Sequence, residues 1–133
     1  MTLYQALNID LRIPELISIV GAGGKTSTLF TLAYELKACG KRVLATTTTN
    51  IAFSEASLAD RVVIDTSKNP CPPPTIDPGT IVCLGGGMVN EIGKFKGVGR
   101  DRVSEIYQRH LFDYVLVEAD GSKRKPGAPC RTQ

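Results

Sequence analysis

Apolar residues in this chain gather into short runs separated by one long stripe at helical spacing. Leu16-Ile17-Ser18-Ile19-Val20 is a run of strand length. Beyond it, Leu29, Leu32, Ala33 and Leu36 place one face of a helix beginning near Lys25 against a core. Lys37 in its last turn and Gly40 just past it are stop signals. Further strands are predicted at Arg42-Val43-Leu44-Ala45, Arg61-Val62-Val63-Ile64-Asp65, Ile81-Val82-Cys83-Leu84 and Tyr114-Val115-Leu116-Val117. The last is continuously apolar, as a strand buried on both faces should be. Short helices are predicted at residues 3–8, before Pro14, and at residues 54–60 with Ser54 as cap. A longer amphipathic helix runs from Arg102 to Leu111 through Val103, Ile106 and Tyr107. Asn69-Pro70-Cys71-Pro72-Pro73-Pro74 fits neither helix nor central strand and reads as a stiff surface connection. A strand, a helix and a second strand in one sheet pair in parallel, so the expected fold is a three-layer α/β domain on a largely parallel sheet.

The first strand and the long helix are joined by Gly21-Ala22-Gly23-Gly24-Lys25-Thr26-Ser27. Strand, glycine turn, Lys-Thr and helix is the order of a phosphate-binding loop, which makes the domain P-loop NTPase-like. Glycines let backbone N–H groups turn inward and approach a phosphate, and the helix adds its positive N-terminal end. Lys25 would reach the terminal phosphates, and the Thr26 hydroxyl would hold Mg2+. The full pattern G-x-x-x-x-G-K-[ST] would need glycine where Ile19 stands. The shorter G-x-x-G-K-T form resembles the ATP loop of the Mur-type peptide ligases. The alternative reading is a glycine turn that merely joins two elements.

In open parallel sheets ligands bind outside the carboxyl ends of the strands, which directs attention to two further stretches. Thr46-Thr47-Thr48-Thr49-Asn50 ends the second strand, and Thr47 or Thr48 is the candidate for holding magnesium or an anion. Packing of a β-branched strand end followed by turn residues is the competing account. Glu118-Ala119-Asp120-Gly121-Ser122 ends the last strand, and delivers two carboxylates to the same rim. Glu118 or Asp120 would hold the ion while the other orients an attacking group, or they cap the next element. Lys25, Glu118 and Asp120 are therefore the candidate catalytic residues, with Thr26, Asp120 and Glu118 as metal ligands. Gly21 to Ser27, with Thr47 and Thr48, form the candidate nucleotide-binding set. Gly85-Gly86-Gly87 allows either close approach to a ligand or a turn, and Lys94 and Lys96 would meet an anion or remain solvated. His110, the single histidine, is read as structural.

Composition narrows the classes. At 133 residues, 42% apolar and 22% charged, the chain has enough material for one folded domain. A net charge of +3 is too small and too scattered to argue for nucleic acid. No apolar stretch has the length of a membrane span and no signal peptide is evident, so a cytoplasmic location is expected. The four cysteines, Cys39, Cys71, Cys83 and Cys130, lie far apart in the chain, which argues for structural thiols over a zinc or iron–sulfur site.

Taken together, Val20-Gly21-Ala22-Gly23-Gly24-Lys25-Thr26, Thr46-Thr47-Thr48-Thr49, Gly93-Lys94-Phe95-Lys96-Gly97 and the stretch from Val115 to Lys123 resemble the YqeC family. The resemblance runs to about Pro126. It implies an accessory role in biosynthesis of the selenium cofactor of selenium-dependent molybdenum hydroxylases, with ATP or GTP and Mg2+ as cofactors. The molybdenum and selenium cofactor or a hydroxylase would be the partner, and Lys123, Arg124 and Lys125 could face it. An NTP-dependent step, as an NTPase or a nucleotide-dependent transferase, is one form of that role. A Mur-type ATP-dependent ligase and a non-hydrolysing carrier that docks to a hydroxylase are the alternatives. Residues 1–126 are expected to form the nucleotide-binding domain. Residues 127–133 show no periodicity and are expected to be an unstructured tail. The family continues past this point, so the chain is expected to be an N-terminal portion.

Overall fold

The computed structural model describes residues 2–20, 24–48, 50–52, 58–64, 76–89, 94–119 and 129–132. Helix α1 (Leu3–Ala6) precedes β1 (Glu15–Ile19), α2 (Lys25–Ala38) and β2 (Arg42–Thr47). Next come β3 (Asn50–Ala52), β4 (Arg61–Ile64), β5 (Thr80–Gly85), β6 (Gly87–Val89) and β7 (Lys94–Lys96). Helix α3 (Arg100–Gln108), β8 (Tyr114–Glu118) and β9 (Pro129–Thr132) complete the described chain.

The main sheet has the order β4-β5-β2-β8-β1-β9. Its first five strands are all parallel, and β9 adds to the β1 edge in antiparallel sense. Side chains alternate across each strand, and the alternation builds two cores. On one face Ile17, Ile19, Val43, Ala45 and Leu116 pack against Leu29, Leu32 and Leu36 of α2. On the other, Leu44, Val82, Leu84, Val115 and Val117 pack against Val103 and Ile106 of α3. Helices thus cover both faces, and the α/β architecture expected from the sequence is the one found. Each of Leu29, Leu32 and Leu36 is fully buried, which contributes about 1.5–3 kcal/mol per side chain.

The amino ends of the central strands are tied by charge-assisted bonds. Asp113 accepts from the Arg42 main-chain N at 2.9 Å and from the Arg42 guanidinium at 3.1 Å and 3.3 Å. The Asp113 N–H in turn donates to the Arg42 carbonyl at 2.9 Å. At the β4 edge Asp60 accepts from Lys37 at 2.6 Å and from the Ile81 N–H at 2.8 Å. Helix α1 is fastened to α2 by Glu35, whose two oxygens accept from the N–H groups of Leu3 and Tyr4, each at 2.9 Å.

A second, antiparallel sheet of order β3-β7-β6 follows the carboxyl ends of β2 and β5. Its three-residue strands show no periodicity in the sequence, and none of them is predicted from it. Gly86 sits where this sheet meets the main one. A Cβ there would lie 2.9 Å from the Gly97 carbonyl oxygen, so close backbone packing accounts for this glycine.

Three other expectations change. Residues 127–133, expected to be an unstructured tail, contain β9, which pairs residue by residue with β1 from Leu16 to Ile19. Pro129 is tolerated because it opens an edge strand, where its missing N–H costs no ladder bond. Residues 58–60 of the expected helix at 54–60 form a turn, and residues 53–57 lie outside the described residues, as does the proline-rich stretch 69–74. His110, expected in the last turn of its helix, lies beyond the end of α3 with φ 59°.

Burial raises the Asp113 carboxyl, but the Arg42 hydrogen bonds outweigh it and hold the group below its ordinary value. A depressed carboxyl stabilises the fold above the ordinary aspartate value of about 3.9, and the contribution is lost as pH falls through the lower folded value. Asp113→Asn should therefore cost about 1.5–3 kcal/mol at neutral pH, a gap that narrows on acidification below about pH 4, as read by urea denaturation at several pH values. The left-handed backbone at His110 predicts that His110→Gly raises stability by roughly 0.5–1 kcal/mol in the same measurement.

Candidate functional site

Helix α2 begins at the carboxyl end of β1. Gly24 is its N-cap, with φ 68° and ψ 5°, and no side chain caps the helix. A left-handed N-cap is strained for other residues, so this backbone requires glycine. The first bond of the helix is Thr28 N–H to the Gly24 carbonyl, 3.0 Å. The N–H groups of Lys25, Thr26 and Ser27 consequently have no acceptor within the helix, and no acidic residue sits in its first turn. Such an end favours negative charge. Gly21, Ala22, Gly23 and the Lys25 side chain lie outside the described residues.

Strand β8 lies between β1 and β2 and pairs with both. Its alternation turns Tyr114, Leu116 and Glu118 to the α2 side, which brings Glu118 to the start of that helix. The Thr26 hydroxyl donates to Glu118 Oε2 at 2.6 Å. Glu118 is buried, at 7% exposure. Thr47 stands opposite Glu118 in the register of β2 and β8. Its hydroxyl donates to the Glu118 carbonyl at 3.1 Å, and the Thr48 N–H donates to the same oxygen at 3.0 Å. The Ala119 N–H donates to the Ile19 carbonyl at 3.0 Å. Glu118 is thus held by its side chain to α2 and by its backbone to β2, while the next residue is tied to β1.

Of the residues singled out from the sequence, Gly24, Thr26, Thr47, Thr48 and Glu118 converge at one rim. Ser27 is exposed beside them. Thr46 points to the opposite face, where its hydroxyl donates to the Leu84 carbonyl at 2.7 Å. Thr47 is fully buried, which makes it a support for the end of β8. Asp120 and Thr49 lie outside the described residues, and Lys94 and Lys96 belong to β7 of the second sheet. The Thr47 carbonyl accepts from the Val98 N–H at 2.9 Å, fixing the chain that leaves β7 to the same rim.

Next to Thr26 opens a groove of about 380 Å³ lined by Thr26, Ser27, Phe30, Thr31, Tyr34 and Leu58. Hydrophobic periodicity does not mark it, because apart from Phe30 its lining lies off the Leu29–Leu36 stripe of α2. The signal that could have found it is the aromatic pair Phe30 and Tyr34, one turn apart.

Thiol chemistry is not prominent here. Burial pushes the Cys83 thiol up to about 12, and Cys39 is exposed and free. Among the described residues no three His, Cys, Asp or Glu side chains cluster in a way that would hold a metal. No helix among them is long and apolar enough to cross a membrane.

The fold and rim define an α/β protein with a carboxylate–hydroxyl pair at the head of its first long helix. Comparison with known sequences places it more closely. The YqeC protein family matches residues 17–127, and the chain belongs to that family. It is 39% identical over 124 residues to the uncharacterized protein YqeC of Escherichia coli (strain K12), a match that covers 91% of this chain and 47% of the relative. The chain therefore spans about half the length of the curated relative it matches. No solved structure matches it.

The Thr26–Glu118 bond supports a stability prediction that needs no ligand. Thr26→Val leaves a buried carboxylate without its hydroxyl donor and should cost about 1–3 kcal/mol, whereas Thr26→Ser should stay close to wild type; urea denaturation of both variants checks this.

Proposed function

We propose that the chain binds a magnesium nucleoside triphosphate at the carboxyl rim of its sheet. The observation that carries this reading is the Thr26–Glu118 hydrogen bond of 2.6 Å at the start of a helix capped by a left-handed glycine. In this reading the glycine loop, Gly21 to Gly24, and the free N–H groups of α2 hold phosphate oxygens. Lys25 neutralises the terminal phosphates, with Ser27 beside them.

The donor set fits magnesium. A hydroxyl and a carboxylate are hard oxygen ligands, and Mg2+ commonly takes only one or two protein carboxylates, completing its shell with water and phosphate. A larger cluster of ligating side chains is not required. Thr26 and Glu118 would hold the ion, with Asp120 as a second carboxylate on the same segment. When bound, the ion neutralises phosphate charge and orients the terminal phosphoryl group. Thr47 and Thr48 keep Glu118 in place through its carbonyl. Lys25 stabilises negative charge, and whichever carboxylate is not on the ion orients the attacking group.

Membership of the YqeC family, together with its resemblance to accessory proteins of selenium-dependent molybdenum hydroxylases, supports a role in maturing that cofactor by an NTP-dependent step. Adenine or guanine nucleotide serves the phosphate site equally.

Calorimetric titration of Mg-ATP and Mg-GTP into the chain, beside Lys25→Ala, tests the reading. Saturable binding is expected, weakened at least tenfold in Lys25→Ala, a loss of about 1.4 kcal/mol or more. Omission of magnesium should weaken binding in the wild type and have little effect in Glu118→Gln. A folded wild-type chain that binds neither nucleotide sinks the proposal.

A further inference from the structure

We infer that the groove beside Thr26 receives the planar base of the same nucleotide whose phosphates occupy the glycine loop. The inference rests on the phosphate reading above and goes beyond it by assigning a second subsite. Its lining residues on α2, Thr26, Ser27, Phe30, Thr31 and Tyr34, recur at spacings of one, four, five and eight from the first, which is one stripe along the helix. Apart from Phe30, which also belongs to the core, that stripe is separate from the buried one at Leu29, Leu32, Ala33 and Leu36.

The walls suit a flat heteroaromatic ring. Phe30 is buried at 3% exposure and forms part of the core, so the floor is fixed. Tyr34 is 42% exposed and Leu58 48%, which leaves two large apolar surfaces turned partly outward beside one groove. The Tyr34 ring does not hang free. Its hydroxyl donates to the Leu58 carbonyl at 2.5 Å, and its centroid lies 6.5 Å from that of Phe30 at an interplanar angle of 43°. A ring held in this way offers a stacking surface at little further entropic cost. The remaining described lining is hydroxyl: Thr26, Ser27 and Thr31 can each donate or accept. None of the six lining side chains is charged. Apolar walls with hydroxyl edges match a neutral base, whose faces are apolar and whose rim bears donors and acceptors.

Continuity with the phosphate site selects this occupant over an unrelated apolar one. Thr26 both lines the groove and bonds Glu118. At roughly 1.5 Å of rise per residue, Tyr34 lies about 12 Å farther along the helix axis. A nucleotide carries its anionic groups at one end and its ring at the other, and this helix presents anion-binding N–H groups and then an aromatic wall in the same order.

The test compares Mg-ATP with magnesium tripolyphosphate, which has the phosphates without the nucleoside, in calorimetric titrations of wild type, Tyr34→Ala, Tyr34→Phe, Leu58→Ala and Lys25→Ala. Stacking on an aromatic side chain is worth about 1–3 kcal/mol, so Tyr34→Ala should weaken Mg-ATP by about 5- to 100-fold and leave tripolyphosphate within about twofold. Tyr34→Phe should retain most of the affinity. Leu58→Ala, at a side chain that is 48% exposed, should weaken Mg-ATP alone. Lys25→Ala should lose both ligands. Unchanged Mg-ATP affinity in Tyr34→Ala and Leu58→Ala overturns the base subsite and leaves the phosphate reading standing. The same holds if Tyr34→Ala loses both ligands equally, which would make Tyr34 a structural residue. A wild type that binds neither ligand overturns the phosphate reading, and this inference with it.

Discussion

Strand β8 is the constraint on which the rest depends. It is paired on both edges, to β1 and to β2, and each of its five residues is buried. An interior parallel strand must present apolar side chains to both layers, and Tyr-Val-Leu-Val does so until Glu118. The charged position on β8 is thus its last residue, still buried but at the carboxyl rim. Its place between β1 and β2 gives Glu118 three neighbours at once: the head of α2, the end of β2 and the end of β1. A carboxylate on an edge strand would have lacked one of the two strand neighbours. The strand order, more than any single contact, makes a site out of residues separated by as many as ninety-two positions in sequence.

Legibility in the sequence followed the length of the element. The five parallel strands and α2 each bury enough consecutive or evenly spaced apolar side chains for periodicity to show. The small sheet escaped because three residues, Asn50–Ala52 or Lys94–Lys96, complete less than two periods of alternation. Strand β9 escaped for a different reason. Pro-Cys-Arg-Thr has no pattern of its own, and what holds it is the unpaired edge that β1 presents, a tertiary fact. Of the site, Thr26 and Glu118 were legible because a glycine loop and an acidic strand end are local signals. The threonine run narrowed to Thr47 or Thr48, and the register between β2 and β8 is what sets Thr47 opposite Glu118. The groove was hidden because Phe30 and Tyr34 resemble ordinary helix residues until Leu58, from a distant turn, is set against them.

Residue types that often carry chemistry have backbone reasons at two positions here, one left open in the sequence and one expected to be structural. Gly86 belongs to a glycine triplet that suggests ligand approach, yet the Gly97 carbonyl already occupies the space a side chain would need. His110, the sole histidine, lies exposed just past a helix end in a conformation more often given to glycine or asparagine. Both cases show why residue type alone is a weak guide. The neighbours decide whether a glycine serves a ligand or a crossing backbone.

The Thr26–Glu118 pair joins a contribution to stability to the proposed cation site in one set of atoms. A buried carboxylate needs hydrogen-bond donors, and the Thr26 hydroxyl supplies one. A carboxylate has about four lone-pair positions and a hydroxyl has two, so this single bond leaves acceptor capacity on both groups. In the proposed reading, this is the capacity that a cation with oxygen preference would use, with the hydroxyl proton turned away. The backbone at the end of β8 is fixed by the bonds from Thr47, Thr48 and Ala119. For these two residues, the ordering that the proposed site needs is already part of the folded chain. Thr47 therefore bears on the proposed site through the position of Glu118, by the bond its hydroxyl makes to the Glu118 carbonyl.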